Sequence, residues 1–278
     1  MTVTALDHTI ATPHGALFSR TWAPADARAG AAPVLLFHDS LGSVELWRDF
    51  PAALAVATGR TVVAYDRLGF GRSDPHPGTL PPTFVADEVD AGVAPVRAAL
   101  GLARVVAFGH SVGGGMAVAT AARLGDACEA LVTVSAQSFV EDRTLAGVRA
   151  ARAAFRAPGQ VERLARYHGD KARWVLDAWT ETWLAPSFAG WSLDDVLRDV
   201  RCQTLALHGD GDEYGSVAHP RRIAAGVRGP SRVVILDGVG HVPHREAPAR
   251  VLDEVGRTLG APAARPAAPA TAAAAPSA

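Results

Sequence analysis

The chain has 278 residues, 49% of them hydrophobic and 20% charged, with a formal net charge of -1 at pH 7. That is enough apolar material for one large core or two smaller ones, and the balanced charge excludes the concentrated positive field that a nucleic-acid or membrane-surface partner would require. No apolar run reaches membrane-spanning length and no basic stretch followed by an apolar one opens the chain, so a cytoplasmic protein is expected.

From the N-terminus, residues 7–22 alternate polar and apolar side chains around Pro13-His14-Gly15, the pattern of an antiparallel hairpin. A buried strand is predicted over 33–38, a helix over 44–57 closed by Gly59, and a strand over 60–66. The helix predicted over 83–100 contains Pro95, which implies a kink or a break. The apolar run Ala103-Arg-Val-Val-Ala-Phe108 is a strand leading into Gly109-His110-Ser111-Val112-Gly113, followed by a small-residue helix over 112–124 and a strand over 129–135. From about 139 to 200 no strand-like run occurs; the segment is helical and carries Trp174, Trp179, Trp183 and Trp191, which reads as an inserted lid. Alternation resumes with a strand over 203–208, a helix near 217–227, a strand over 232–236 and a last helix to about Leu259. The expected class is therefore α/β: a mostly parallel twisted sheet with an N-terminal antiparallel hairpin and helices on both faces. Its core would occupy 1–138 and 201–260, the lid 139–200, and an Ala/Pro-rich disordered tail 261–278.

Ser111 falls at a strand-to-helix turn flanked by glycines, the nucleophile-elbow pattern. So tight a turn drives the serine backbone toward positive φ, and glycines permit the close approach of strand and helix. A serine hydroxyl is a weak nucleophile at neutral pH and needs a base. His241, directly after the last strand in Asp237-Gly-Val-Gly-His-Val-Pro-His244, is the candidate, and His244, which follows Pro243 at a helix start, ranks below it. The imidazole needs a carboxylate on its other nitrogen. Of the acids in Gly209-Asp210-Gly211-Asp212-Glu213, Asp212 is selected, with Glu141 and Asp142 as alternatives. Two backbone N–H groups would receive the oxyanion, one from Val112 and one from Ser40 in the loop His38-Asp39-Ser40-Leu41-Gly42.

These motifs together resemble the α/β-hydrolase superfamily, in its lidded branch of small esterases, lactonases and carbon-carbon bond hydrolases, over about residues 5 to 260. Ser111, Asp212 and His241 occur in the family's order, and Asp66-Arg-Leu-Gly-Phe-Gly-Arg-Ser-Asp74 is similar to the family's loop after the preceding strand. Asp39 stands where members usually carry glycine, while Asp39-Ser40-Leu41-Gly42 is similar to the Asn-Ser-Leu-Gly of 3-oxoadipate enol-lactonase-like members. The departure bears on where the Ser40 N–H is placed. Branches with a carboxylate nucleophile are excluded by the serine at 111. The resemblance implies a serine hydrolase of a small-molecule ester or lactone. Carbon-carbon hydrolysis, or haloperoxidase, lyase or acyltransferase chemistry, can use the same residues, and a non-catalytic receptor of this fold is the alternative from another class.

No cofactor is implied. The Asp66 loop lacks the third glycine of a dinucleotide fingerprint, Pro75 and Pro77 prevent the helix that motif requires, and no His-Glu-x-x-His arrangement occurs. Cys128 and Cys202, far apart in the chain and without Cys-x-x-Cys partners, read as small buried hydrophobes. Leu176, Trp179 and Trp183 share a helical face that could line a substrate pocket or simply dock the lid. The first half of the lid is basic, from Arg143 and Arg149 to Lys171 and Arg173, and reads either as a solvated face or as a rim attracting carboxylate-bearing substrates.

Overall fold

The computed structural model describes residues 2–260. β1 (Val3–Thr12) and β2 (Gly15–Pro24) form the expected hairpin, turning at the two residues between them. β3 (Val34–Phe37) follows. Residues 44–57 were expected to be one helix, but a single 3₁₀ turn (Glu45–Trp47) precedes α1 (Phe50–Thr58). Pro51 is the physical reason: it lacks the N–H an interior position must donate and sits in the first turn instead. After β4 (Val62–Tyr65), the helix predicted over 83–100 is split into α2 (Phe84–Glu88), a π turn (Val89–Val93) and α3 (Ala94–Leu100). Pro95 falls in the first turn of α3, and the wider π turn absorbs the break.

β5 (Val105–His110), α4 (Val112–Leu124) and β6 (Cys128–Val134) complete the first half. Between β6 and β7 the segment is helical: α5 (Asp142–Ala154), α6 (Gln160–His168), α7 (Ala172–Leu184) and the short α8 (Asp194–Leu197), with one isolated bridge, Phe139 to Ser192. Then come β7 (Gln203–Gly209), α9 (Ala218–Gly226), β8 (Ser231–Leu236), α10 (Pro243–Glu246) and α11 (Pro248–Thr258). The tail expected at 261–278 lies outside the described residues.

Among the described residues eight strands form one sheet in the order β1-β2-β4-β3-β5-β6-β7-β8. β1, β2 and β4 pair antiparallel; from β4 to β8 every pairing is parallel. Parallel strands covered on both faces need apolar residues at every position. β3, β4 and β5 satisfy this, with every residue buried. Alternate residues feed two separate cores: Leu35, Val63 and Ala107 pack beneath α4, while Leu36, Ala64 and Phe108 pack against α1 and α11. The parallel strands thus end on one edge, where loops from β3, β5, β6, β7 and β8 meet. No helix among the described residues is long and apolar enough to cross a membrane.

Candidate active site

Ser111 is the single residue between β5 and α4, at φ 55° and ψ −129°. That region is costly for a residue with a Cβ, so neighbours must enforce it. Ser111 N–H donates to Val134 O at 3.0 Å, and Gly114 N–H donates to Ser111 O at 2.8 Å. Glycine is required around the turn because main chains meet there. A Cβ on Gly113 would lie 2.3 Å from Phe37 O, and one on Gly109 would lie 2.1 Å from Gly113 O.

A hydrogen-bonded chain leads back from the hydroxyl. His241 Nε2 lies 3.1 Å from Ser111 Oγ, and His241 Nδ1 lies 2.9 Å from both carboxylate oxygens of Asp212. Asp212 is buried and further receives Tyr214 N–H at 2.7 Å and Gly215 N–H at 3.1 Å, with His208 Nε2 at 3.3 Å. Burial alone would raise the Asp212 pKa; the His241 bond and the nearby His241 and His208 outweigh it and hold the carboxyl below its ordinary value. An ionised Asp212 fixes the His241 proton on Nδ1 and leaves Nε2 as an acceptor for Ser111 O–H. Gln137 Oε1, at 3.2 Å, is the hydroxyl's other acceptor. Arg143 ties the acid's loop to the helical segment by donating to Asp212 O at 3.0 Å.

The competing residues are engaged elsewhere. His244 is buried against Trp47 and His110, with ring centroids 4.7 Å from each. Glu141 faces His219 at 3.0 Å and receives Ser216 N–H at 2.6 Å. Asp142 opens α5, and Asp142, Asp210 and Glu213 are exposed.

Neither Ser40 N–H nor Val112 N–H has a hydrogen-bond partner among the described residues. Asp39 O, by contrast, accepts three bonds: His38 Nδ1–H at 2.8 Å, Arg67 Nη2–H at 3.0 Å and Gly42 N–H at 3.2 Å. The peptide bond is trans, so a carbonyl fixed on one edge turns the Ser40 N–H to the opposite edge. Asp39 occupies the usual glycine position without disrupting the loop because its own Oδ1 accepts Leu41 N–H at 2.9 Å, closing a local turn. Its Oδ2 pairs with His110 Nδ1 at 3.2 Å, and His110 Nε2 in turn donates to His241 O at 2.8 Å. Burial acts to raise the Asp39 pKa, but the His110 bond with the Leu41 N–H prevails and holds it far below the carboxylate range.

A cavity of about 190 Å³ opens above Ser111, walled by Trp179, Trp183, Tyr214, Thr144 and Val148. Leu176, expected on this wall, instead packs in a separate cluster with Phe70, Leu164 and Val175. It lies nearly a full turn before Trp179 on α7, beneath the Asp66 loop rather than over Ser111. The basic residues of the helical segment do not line the cavity: Arg149 is exposed, Arg152 pairs with Glu181 at 3.1 Å, Arg173 with Asp177 at 2.9 Å, and Lys171 donates to Gly71 O. The Asp66 loop folds around its own carboxylate, which accepts Val44 N–H at 2.6 Å and Arg72 N–H at 2.8 Å. Cys128 is buried as expected, but Cys202 is only half-buried and the two Sγ atoms lie 3.9 Å apart across neighbouring strands. Among the described residues no three His, Cys, Asp or Glu side chains converge as metal ligands.

Asp39 and His110 as a pair, Gln137, His208, Tyr214 and Arg67 were not singled out from the sequence. For four of them position was a usable signal: Gln137 follows the end of β6, Tyr214 follows Asp212 by two residues, and Arg67 and Asp39 follow β4 and β3.

Residues 32–179 match the family described as alpha/beta hydrolase fold, and the chain belongs to that family. The non-heme chloroperoxidase of Streptomyces lividans is 37% identical over 38% of this chain, a stretch that spans only 36% of that protein. The non-heme haloperoxidase of Rhodococcus erythropolis is 27% identical over 75% of this chain and 85% of its own length. The enol-lactonase from Burkholderia xenovorans LB400 superposes with a TM-score of 0.68 at 21% identity, covering 91% of this chain and all of that one, a likeness of fold.

Proposed function

We propose that this protein is a cytoplasmic serine hydrolase that cleaves a small-molecule carboxylic ester or lactone through an acyl-enzyme. The observation that supports it is the continuous chain from Ser111 Oγ through His241 to Asp212, beside two N–H groups without partners among the described residues. Ser111 Oγ attacks the acyl carbon as its proton passes to His241 Nε2, and Asp212 stabilises the imidazolium that results. The carbonyl oxygen, now negative, is received by Ser40 N–H and Val112 N–H. Collapse of the tetrahedral adduct expels the alcohol, which takes the proton from His241. Water then attacks the acyl-enzyme with His241 again as base, and the acid leaves.

Ser111→Ala should lower kcat on a short-chain ester by about 10⁴–10⁶-fold while leaving the melting temperature within a degree or two. A fluorophosphonate probe should label the wild type and not the variant. Absence of both turnover and labelling in the wild type would count against the reading and favour a non-catalytic binder.

A further inference from the structure

The charge of the cavity above Ser111 does not fit the reading of the basic helical segment as a rim for carboxylate-bearing substrates. Among the described residues no Arg or Lys lines it, and the one carboxylate on its wall is Asp39, paired with His110. The Asp39 side chain is 30% exposed whereas that of His110, its partner, is 2% exposed. Both His110 nitrogens are taken, by Asp39 Oδ2 and by His241 O, so His110 offers no donor to an incoming anion. Arg67 binds the Asp39 main-chain carbonyl, not its carboxylate. The same cavity has aromatic walls: Trp179 and Tyr214 stand 5.9 Å apart between ring centroids, and Trp183 lines the same space. A carboxylate combined with aromatic faces is the arrangement that attracts an alkylammonium group, through Coulomb attraction and through the ring quadrupoles, and that repels a carboxylate.

We propose that Asp39 determines specificity: with Trp179, Trp183 and Tyr214 it selects esters carrying an alkylammonium group near the reacting carbonyl and discriminates against carboxylate-bearing ones. This rests on the hydrolase reading above and names the substrate class for that site.

The test uses nitrophenyl esters of three acyl chains of equal length, ending in trimethylammonium, tert-butyl or carboxylate, with kcat/KM corrected for each ester's reactivity toward hydroxide. The wild type should favour the trimethylammonium ester at least fivefold over its neutral isostere, and the carboxylate ester should fall at least tenfold below it. In Asp39→Asn, which keeps an oxygen for Leu41 N–H, both ratios should shrink to under threefold. Each ratio is taken within one protein, so a change in overall rate cancels. Asp39→Gly, the residue usual at this position, should shrink them equally, and provides the measurement should the asparagine variant fold poorly. Turnover of the neutral ester without discrimination in the wild type would overturn the proposal, and so would ratios that persist in both variants, which would assign the preference to the aromatic walls alone. A wild type that hydrolyses none of the three refutes the hydrolase reading itself, and this proposal with it.

Discussion

The Asp39–Ser40 peptide carries its carbonyl and its N–H on opposite edges, so the groups that hold the first aim the second. His38, Arg67 and Gly42 all donate to that carbonyl. Of these, Arg67 is the least replaceable from the loop itself, because it comes from the end of β4 and its buried guanidinium lies over the Phe70 ring at 4.0 Å. His38 is held neutral by burial and by the adjacent Arg67 charge, which leaves it as a single Nδ1–H donor, while its Nε2 accepts Arg67 N–H at 3.2 Å. Arg67 therefore acts as a positioning residue for the Ser40 N–H. Removing an oxyanion donor outright costs about 10²–10³-fold in kcat, and loosening its aim should cost less. Arg67→Met should lower kcat by about 10–100-fold with KM within twofold, and affinity for a trifluoromethyl ketone, whose adduct mimics the tetrahedral state, should fall in parallel. A rise in KM with kcat unchanged would instead place Arg67 in ground-state binding.

The junction of β3, β5 and α4 is where elements approach most closely. A methyl group on Gly113 would meet two main-chain oxygens, Phe37 O at 2.3 Å and His38 O at 2.6 Å, and main chain cannot move aside as a flexible side chain can. Gly113→Ala should destabilise the protein by about 2–3 kcal/mol and lower kcat, since separating α4 from the end of β3 separates Val112 from Ser40. Gly190, with nothing within 4 Å of an added methyl, is the control, and Gly190→Ala should stay within about 0.5 kcal/mol by chemical denaturation. Equal costs at the two positions would refute the close-approach account. Much at this scale was legible in the sequence. Buried parallel strands are uninterrupted apolar runs, and Ser111, Asp212 and His241 each stand just past a strand end. The start of α1 was not, because apolar spacing continues through the 3₁₀ turn and only Pro51 marks the boundary. Nor was the Asp39–His110 pair, which joins the ends of two strands and depends on side-chain directions that spacing does not encode. Leu176 was misplaced for a related reason: helical spacing identifies a shared face but not what each turn of that face meets.

Across the whole molecule, carboxyls with displaced pKa values, from the exposed Asp7 to the buried Asp212, divide into two sets that make stability depend on pH in opposite senses. Asp7, lowered to about 2 by its bond to Arg20, and Asp39 and Asp212, both lowered, contribute stability above the pKa of an unfolded carboxyl, and that contribution is lost as pH falls through their folded values. Glu88 and Asp66 do the reverse. Burial pushes Glu88 to about 7 and Asp66 to about 6, against about 4 in an unfolded chain. Between those limits Glu88 and Asp66 hold more protons folded than unfolded, so their contribution declines as pH rises from about 4.5 to 7, while the buried His38, His168, His208, His219 and His244, lowered by burial, act in the opposite sense. Glu88 stands at the end of α2, receives Tyr65 O–H at 2.7 Å, and lines a second cavity of about 260 Å³ beside Arg67. A shift of this size sets a ceiling of about 3 kcal/mol, which water reaching the part-exposed carboxyl reduces to about 1–2 kcal/mol. At ~2–4 °C per kcal/mol for a chain of this length, the Glu88 contribution to the melting temperature should fall by several degrees between pH 5 and 8. Glu88→Gln keeps an acceptor for Tyr65 but cannot ionise, so its melting temperature should rise relative to that of the wild type as pH goes from 5 to 7, the histidine contributions being common to both proteins. Thermal melts followed by circular dichroism at half-unit pH steps measure this difference directly, and parallel curves for the two proteins would refute the Glu88 contribution.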